Sequence, residues 1–221
     1  MSNAISPAWN KTSDRFETGN RTNRANNNAP ATLRSPLLFK MLDKLEPEQR
    51  YNILDIGKAS GTSIDSLSDH WCKLFITDAA TGIQRFNYQE EDLTNRFSAL
   101  LNNTILMRES NISDLDIVLL WDLPNYLPSE LIKVLTSHLL PLSSPRLVLH
   151  TYIYTTRQMP ASPANYHITR DTNISMHATS NTQITCPLYH QTELQKYFSP
   201  LIVDHSVMLS SGIQEYIFHL A

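Results

Sequence analysis

The sequence predicts an α/β fold: a doubly wound, mainly parallel sheet of seven strands, flanked by helices and closed by a C-terminal antiparallel hairpin. Three observations carry this. Short apolar runs alternate with amphipathic stretches across residues 34–154, the trace that βαβ crossovers leave in a chain. One run, Asp116–Asp122, is β-branched and apolar without a gap, as a strand covered on both faces requires. Two further β runs, Leu201–Leu209 and Ile213–Leu220, are separated only by Ser210-Ser211-Gly212, turn residues that fold two strands back on each other.

Residues 1–33 are polar, include the Asn26-Asn27-Asn28 run and show no apolar period, so a flexible N-terminal tail is expected there. The competing reading is a lid that closes with Trp9, Arg15 and Phe16. Ser35-Pro36 then opens a helix that places Leu37, Leu38, Phe39, Met41, Leu42 and Leu45 on one broad face and ends before Pro47. Tyr51–Gly57 is a short apolar run closed by glycine, a buried strand. Thr62–Cys72 is its helix, Lys73–Asp78 the second strand, and residues 83–101 the next helix. Thr104–Glu109 is a weaker third strand, Asp116–Asp122 the fourth, 128–140 a helix with proline in its first turn, and Arg146–Tyr154 the fifth strand. Residues 155–190 break the alternation with prolines and are expected to form an inserted excursion, with a hairpin around His167–Thr169 and Gln183–Cys186. Thr192–Phe198 is a short helix before the closing hairpin. Residues 34–221 thus read as a single domain.

Composition removes several function classes. The 221 residues carry 18 Lys and Arg against 21 Asp and Glu, a net charge of −3, which provides no broad nucleic-acid surface. Hydrophobic residues at 41% exclude a wholly disordered chain. Cys72 and Cys186 form no CxxC pair, and the eight histidines lack metal-ligand spacing, so neither a disulfide scaffold nor a metal site is expected. Apolar runs such as Ile117–Trp121 fall far short of the about 20 residues of a membrane helix. With no membrane span and no apolar signal core, the expected location is cytoplasmic.

The chemistry should gather at the first strand-to-helix turn. Only five glycines occur, and Gly57 and Gly61 both fall in the string Leu54-Asp55-Ile56-Gly57-Lys58-Ala59-Ser60-Gly61. In a parallel sheet, ligands bind beyond the carboxyl ends of strands, where glycine lets them approach the backbone. An acid just before the first glycine disfavours a pyrophosphate and favours an ammonium or sulfonium charge. Asp78 ends the next strand, where a carboxylate can accept hydrogen bonds from ribose hydroxyls. Plainer roles remain open: the glycines can simply permit a tight turn, Asp55 can cap the following turn, and Asp78 can be an ordinary strand-end acid.

This pattern resembles the class I S-adenosylmethionine-dependent methyltransferases, whose first motif, an acid-x-Gly-x-Gly-x-Gly turn, is matched by Asp55, Gly57, Ala59 and Gly61, with alanine at the middle glycine. The family's acid after strand two matches Asp78, and its strand-four motif looks like Asp116–Asp122 followed by Leu-Pro-Asn-Tyr126. The resemblance covers roughly residues 50–154 and 190–221. It implies a Rossmann-like, methyltransferase-like domain with S-adenosylmethionine as cofactor. It also implies that Gly57, Ala59 and Gly61 lie under the methionine part, that Asp78 holds the ribose, and that adenine lies near Glu109, Ser110 and Asn111.

Methyl transfer needs positioning above all, and a base only where the acceptor must lose a proton. Candidates at the strand-four mouth are Asp122, Asn125 and Tyr126, with His150 and Tyr152 near the end of strand five. Trp121 reads as a core aromatic or a substrate platform. The acceptor, a small molecule or a protein, is not named by the sequence. The alternative function is a non-catalytic module of the same fold that recognises a partner, with or without cofactor; a nicotinamide-dependent oxidoreductase is disfavoured by the loop spacing.

Overall fold

The computed structural model describes residues 29–84, 86, 91–104, 112–209 and 211–221. Ala31–Leu33 (β1) is a short strand inside the stretch expected as a tail, with Leu33 buried. Pro36–Leu42 (α1) starts on the proline, which needs no amide partner there. Tyr51–Asp55 (β2), Gly61–Ser68 (α2) and Cys72–Ile76 (β3) follow in the expected order. The one helix expected over 83–101 is two, Ala79–Gln84 (α3) and Leu93–Thr104 (α4). Asp92, at φ 59, takes the left-handed backbone that an Asp tolerates and a helix interior does not, so α4 starts afresh after it.

Thr104, the first residue of the expected third strand, instead closes α4, and 105–109 lie outside the described residues. Leu115–Trp121 (β4) is buried at every position. A 3-10 turn, Leu123–Tyr126, leads to Ser129–Leu139 (α5) and then Ser143–Tyr154 (β5). The excursion holds Gln158–Pro160 (β6), Asn165–Ile168 (β7), Ile174–His177 (β8) and Gln183–Thr185 (β9). Gln191–Tyr197 (α6), Leu201–Met208 (β10) and Ile213–Leu220 (β11) complete the chain.

The main sheet among the described residues has six strands, in the order β10-β11-β5-β4-β2-β3. It is mixed: β2 pairs in parallel with β3 and β4, and β4 with β5, whereas β11 runs antiparallel between β5 and β10. Both faces are covered. Along β11 the alternating residues part company: Glu215 meets α1, while Phe218 packs on Phe198 at the end of α6, with ring centroids 4.8 Å apart. From β2 the chain crosses to β3 on one side and reaches β4 on the other, so the carboxyl end of β2 is the switch point where a crevice opens in such sheets.

The excursion pairs differently from expectation. β7 pairs with β8, β8 also with β1, and β9 with β6. Strands of three and four residues are too short to carry a readable period, and their partners are set by what they cover. β7 lies against α2: the Ile168 amide donates to Ser63 Oγ at 2.9 Å. Among the described residues no helix is long and apolar enough to cross a membrane.

Candidate functional site

The β2 tip, the turn after it and the β3 tip are laced together. Thr77 N donates to Asp55 O, Asp78 N to Gly57 O and Ala79 N to Ile56 O, at 3.0–3.2 Å. Asp55, Gly57 and Asp78 are therefore brought together, and Ala59 and Gly61 lie in the turn that runs on from Gly57 into α2. Ser60 stands at the N-cap of α2, and Lys58, Ala59 and Gly61 are exposed. A Cβ at Gly61 meets nothing within 4 Å. Asp78 is half-buried at φ 45, and its Oδ1 accepts from Thr81 Oγ1 at 2.8 Å, which leaves Oδ2 without a partner among the described residues. The neighbouring Thr77 Oγ1 is buried and unpartnered there too. Buried polar atoms are seldom left so, and Thr77 Oγ1 is the one buried orphan at this strand tip among the described residues, while Asp78 Oδ2 stays open to water.

Asp55 is buried, 2% exposed. Its Oδ1 accepts from Gly57 N at 2.8 Å and from Trp121 Nε1 at 2.6 Å. Burial raises its carboxyl to about 6, and the two hydrogen bonds hold it from going further. Trp121 ends β4 at a register irregularity and at φ 51, a left-handed conformation that a bulky residue enters only when its surroundings enforce it. That backbone aims the indole over Gly57: a Cβ at Gly57 would lie 2.8 Å from Nε1. Glycine at 57 thus makes room for the chain's own indole. Tyr166 of β7 stacks on the indole from the excursion side, with centroids 5.2 Å apart and planes 6° from parallel.

On the same hairpin His167 lies by His177, at 4.4 Å between centroids. Burial, then His177 and Lys58, hold His167 below the usual imidazole range, so the hairpin lies near the turn that carries Lys58.

Asp122, 1% exposed, accepts from Ala164 N at 3.1 Å and from Tyr154 OH at 3.4 Å. Burial lifts its carboxyl to about 7 against those donors. Burial and the Asp122 charge push the Tyr126 and Tyr154 hydroxyls upward in turn. Tyr126 OH donates to Ser162 O at 3.0 Å. Asn125 is a clamp: its Nδ2 donates to Asp122 O and Tyr152 O, and its Oδ1 accepts from Tyr154 N. Asp122 and Tyr126 are brought together, and the Trp121 indole stands between β4 and Asp55. Glu109, Ser110 and Asn111 lie outside the described residues.

His150 and Tyr152, expected near the mouth of strand five, pack their rings on the Trp121 indole, with centroids 5.9 and 6.1 Å away, but their polar atoms are engaged on the far side. His150 Nε2 lies 2.9 Å from Glu215 Oε1, and Tyr152 OH donates to Ser35 Oγ at 2.7 Å. Ser35 Oγ donates to Glu215 Oε1 at 2.5 Å, and Glu215 also takes the Leu37 and Leu38 amides. The group is a buried cap for α1. Sequence reasoning missed both this cap and the Asp55–Trp121–Tyr166 contact; an acid in the apolar run Ile213–Leu220 was the visible signal for the first.

No protein-family profile and no curated protein matches this chain. Solved structures do resemble it in part. A protein of Pyrococcus horikoshii OT3 designated PH0226 is 11% identical, with 84% of this chain and 87% of that chain aligned at a TM-score of 0.47. A S-adenosylmethionine-dependent methyltransferase from Aquifex aeolicus is 13% identical over 86% of this chain and 91% of that chain, TM-score 0.46. Another from Clostridium acetobutylicum is 12% identical over 84% and 89%, TM-score 0.48.

Proposed function

We propose that this chain is a class I methyltransferase-like protein that holds S-adenosylmethionine across the tips of β2 and β3. The observation that supports the reading is the laced turn at the switch point, which holds Asp78 at the β3 tip with Oδ2 open for a ligand and leaves residues 58, 59 and 61 exposed. Asp78 takes the ribose hydroxyls and the exposed turn at 58–61 takes the methionine part, while Asp55, buried beneath the Trp121 indole, fixes the shape of the turn. Glu109 and Ser110 are assigned to the adenine by resemblance alone.

The bound cofactor supplies a methyl group activated by its sulfonium. The chain's own residues exclude water and manage charge. Asp122, at about 7, accepts a proton near neutrality, and Tyr126 and Tyr154 surround it. Asp78 keeps one oxygen open for the ribose, whereas at Gly57 the Trp121 indole occupies the space a ligand would need.

That misfit favours the second reading, a non-catalytic module of this fold whose cofactor hollow is filled from within. Thermal denaturation with S-adenosylhomocysteine, S-adenosylmethionine and NAD separates the two. The adenosyl sulfur compounds should stabilise the protein, by about 2.7 kcal/mol at one hundred times Kd. Asp78→Ala should abolish the shift. No shift at millimolar ligand rejects the cofactor reading and leaves the module.

A further inference from the structure

A cavity of about 740 Å³ lies between the 3-10 turn, the end of α3 and the β6–β9 ribbon of the excursion. Such a volume suits a small molecule. Its composition says which kind. Among the described residues no charged side chain lines it, and Ile83, Leu127, Met159 and Ile184 give it apolar walls. Its polar lining is largely committed elsewhere. Asn125 has both donors and its acceptor bonded to backbone, Tyr126 OH donates to Ser162 O, and Tyr189 OH donates to Leu127 O at 2.6 Å. Thr185, exposed at the rim, keeps a hydroxyl without a partner among the described residues.

A charged ligand entering such a cavity gives up hydration and meets no side chain of opposite charge among the described residues, which costs more than an apolar ring does. A molecule rich in hydroxyls fares little better, since each buried group needs a bond that the walls do not offer. We propose that this cavity binds an uncharged, ring-bearing small molecule with one polar substituent, anchored at Thr185. Its role as methyl acceptor rests on the proposed methyltransferase reading; the binding itself does not.

Two probes with the same ring system test this: neutral N-phenyl-1-naphthylamine and its sulfonated counterpart, 8-anilinonaphthalene-1-sulfonate, titrated by fluorescence. The neutral probe should bind at one site, at least about tenfold tighter than the anion. Ala161→Trp, which fills the cavity from its lining, should weaken the neutral probe at least about tenfold. Thr185→Lys, at an exposed position that folding tolerates, should reverse the preference towards the sulfonate. Equal binding of the two probes overturns the proposal. So does neutral-probe binding that survives Ala161→Trp in protein that still melts cooperatively, and so does a Thr185→Lys variant with unchanged preference. Neutral-probe binding without any S-adenosylhomocysteine shift keeps the cavity and removes only its acceptor role.

Discussion

The indole Nε1 of Trp121 lies 2.6 Å from Asp55 Oδ1, directly over the missing side chain of Gly57. An acid and a glycine that read as ligand-binding residues are thereby joined in a contact within the protein. The same carboxylate oxygen takes the Gly57 amide, so turn shape and indole position depend on one another.

Shortening the indole should open the hollow. Trp121→Leu is expected to strengthen S-adenosylhomocysteine binding by about tenfold, measured by titration calorimetry, while costing on the order of 2–3 kcal/mol of stability. Affinity that stays level or drops would mean that the indole is not what limits access.

The two glycines should respond oppositely to a methyl group. Gly57→Ala pushes a Cβ against the indole and Asp55 and should lower stability by about 1–3 kcal/mol. Gly61→Ala meets open space and should be neutral or gain up to about 1 kcal/mol. Urea denaturation of the pair distinguishes a packing role from a ligand cradle; equal costs would contradict the geometry.

Asp122 sets a pH dependence. Its carboxyl rises from 3.8 to about 7 on folding, so the native state holds more protons than the unfolded chain between those values. Stability therefore falls as pH climbs through that window, by an amount on the order of 4 kcal/mol for this group. Asp122→Asn keeps an acceptor for Ala164 and should raise the melting temperature at pH 8 but not at pH 4. An identical effect at both values would exclude the buried charge as its source.

Glu215 works in the other sense. Burial presses its carboxyl up, but the bonds from His150, Ser35 and Leu37 outweigh this and leave it below its ordinary value. Its stabilisation is thus present above the unfolded pKa of about 4.5 and lost as pH falls through the lower, folded one. Glu215→Gln should cost about 3 kcal/mol at pH 7 and less at pH 3, followed by denaturant titration. A loss that does not change with pH would locate its role in shape rather than charge.

Much of the framework was legible because its signals are local. The gapless run at 116–122 is a strand buried at every position, and Asp55, Gly57 and Asp78 fall at neighbouring strand tips, as their spacing requires. What escaped depends on residues far apart in the chain. Nothing near Trp121 announces that Tyr166 stacks on it, and nothing near Ser35 names Glu215 as its partner. The excursion was mispaired for the same reason: Gln183–Thr185 finds Gln158–Pro160 rather than the segment around His167. The start of α4 is marked by the left-handed backbone at Asp92, which a helical period cannot register.

Ala31, Thr32 and Leu33 pair with Met176, Ser175 and Ile174. An abbreviated protein starting at Arg34 would keep every strand of the six-stranded sheet and still bare the margin of β8, whose open amides and carbonyls invite a neighbouring molecule. Such a version should self-associate in proportion to its concentration, and a soluble fusion intended to preserve the hairpin over Trp121 must therefore be joined upstream of Ala31.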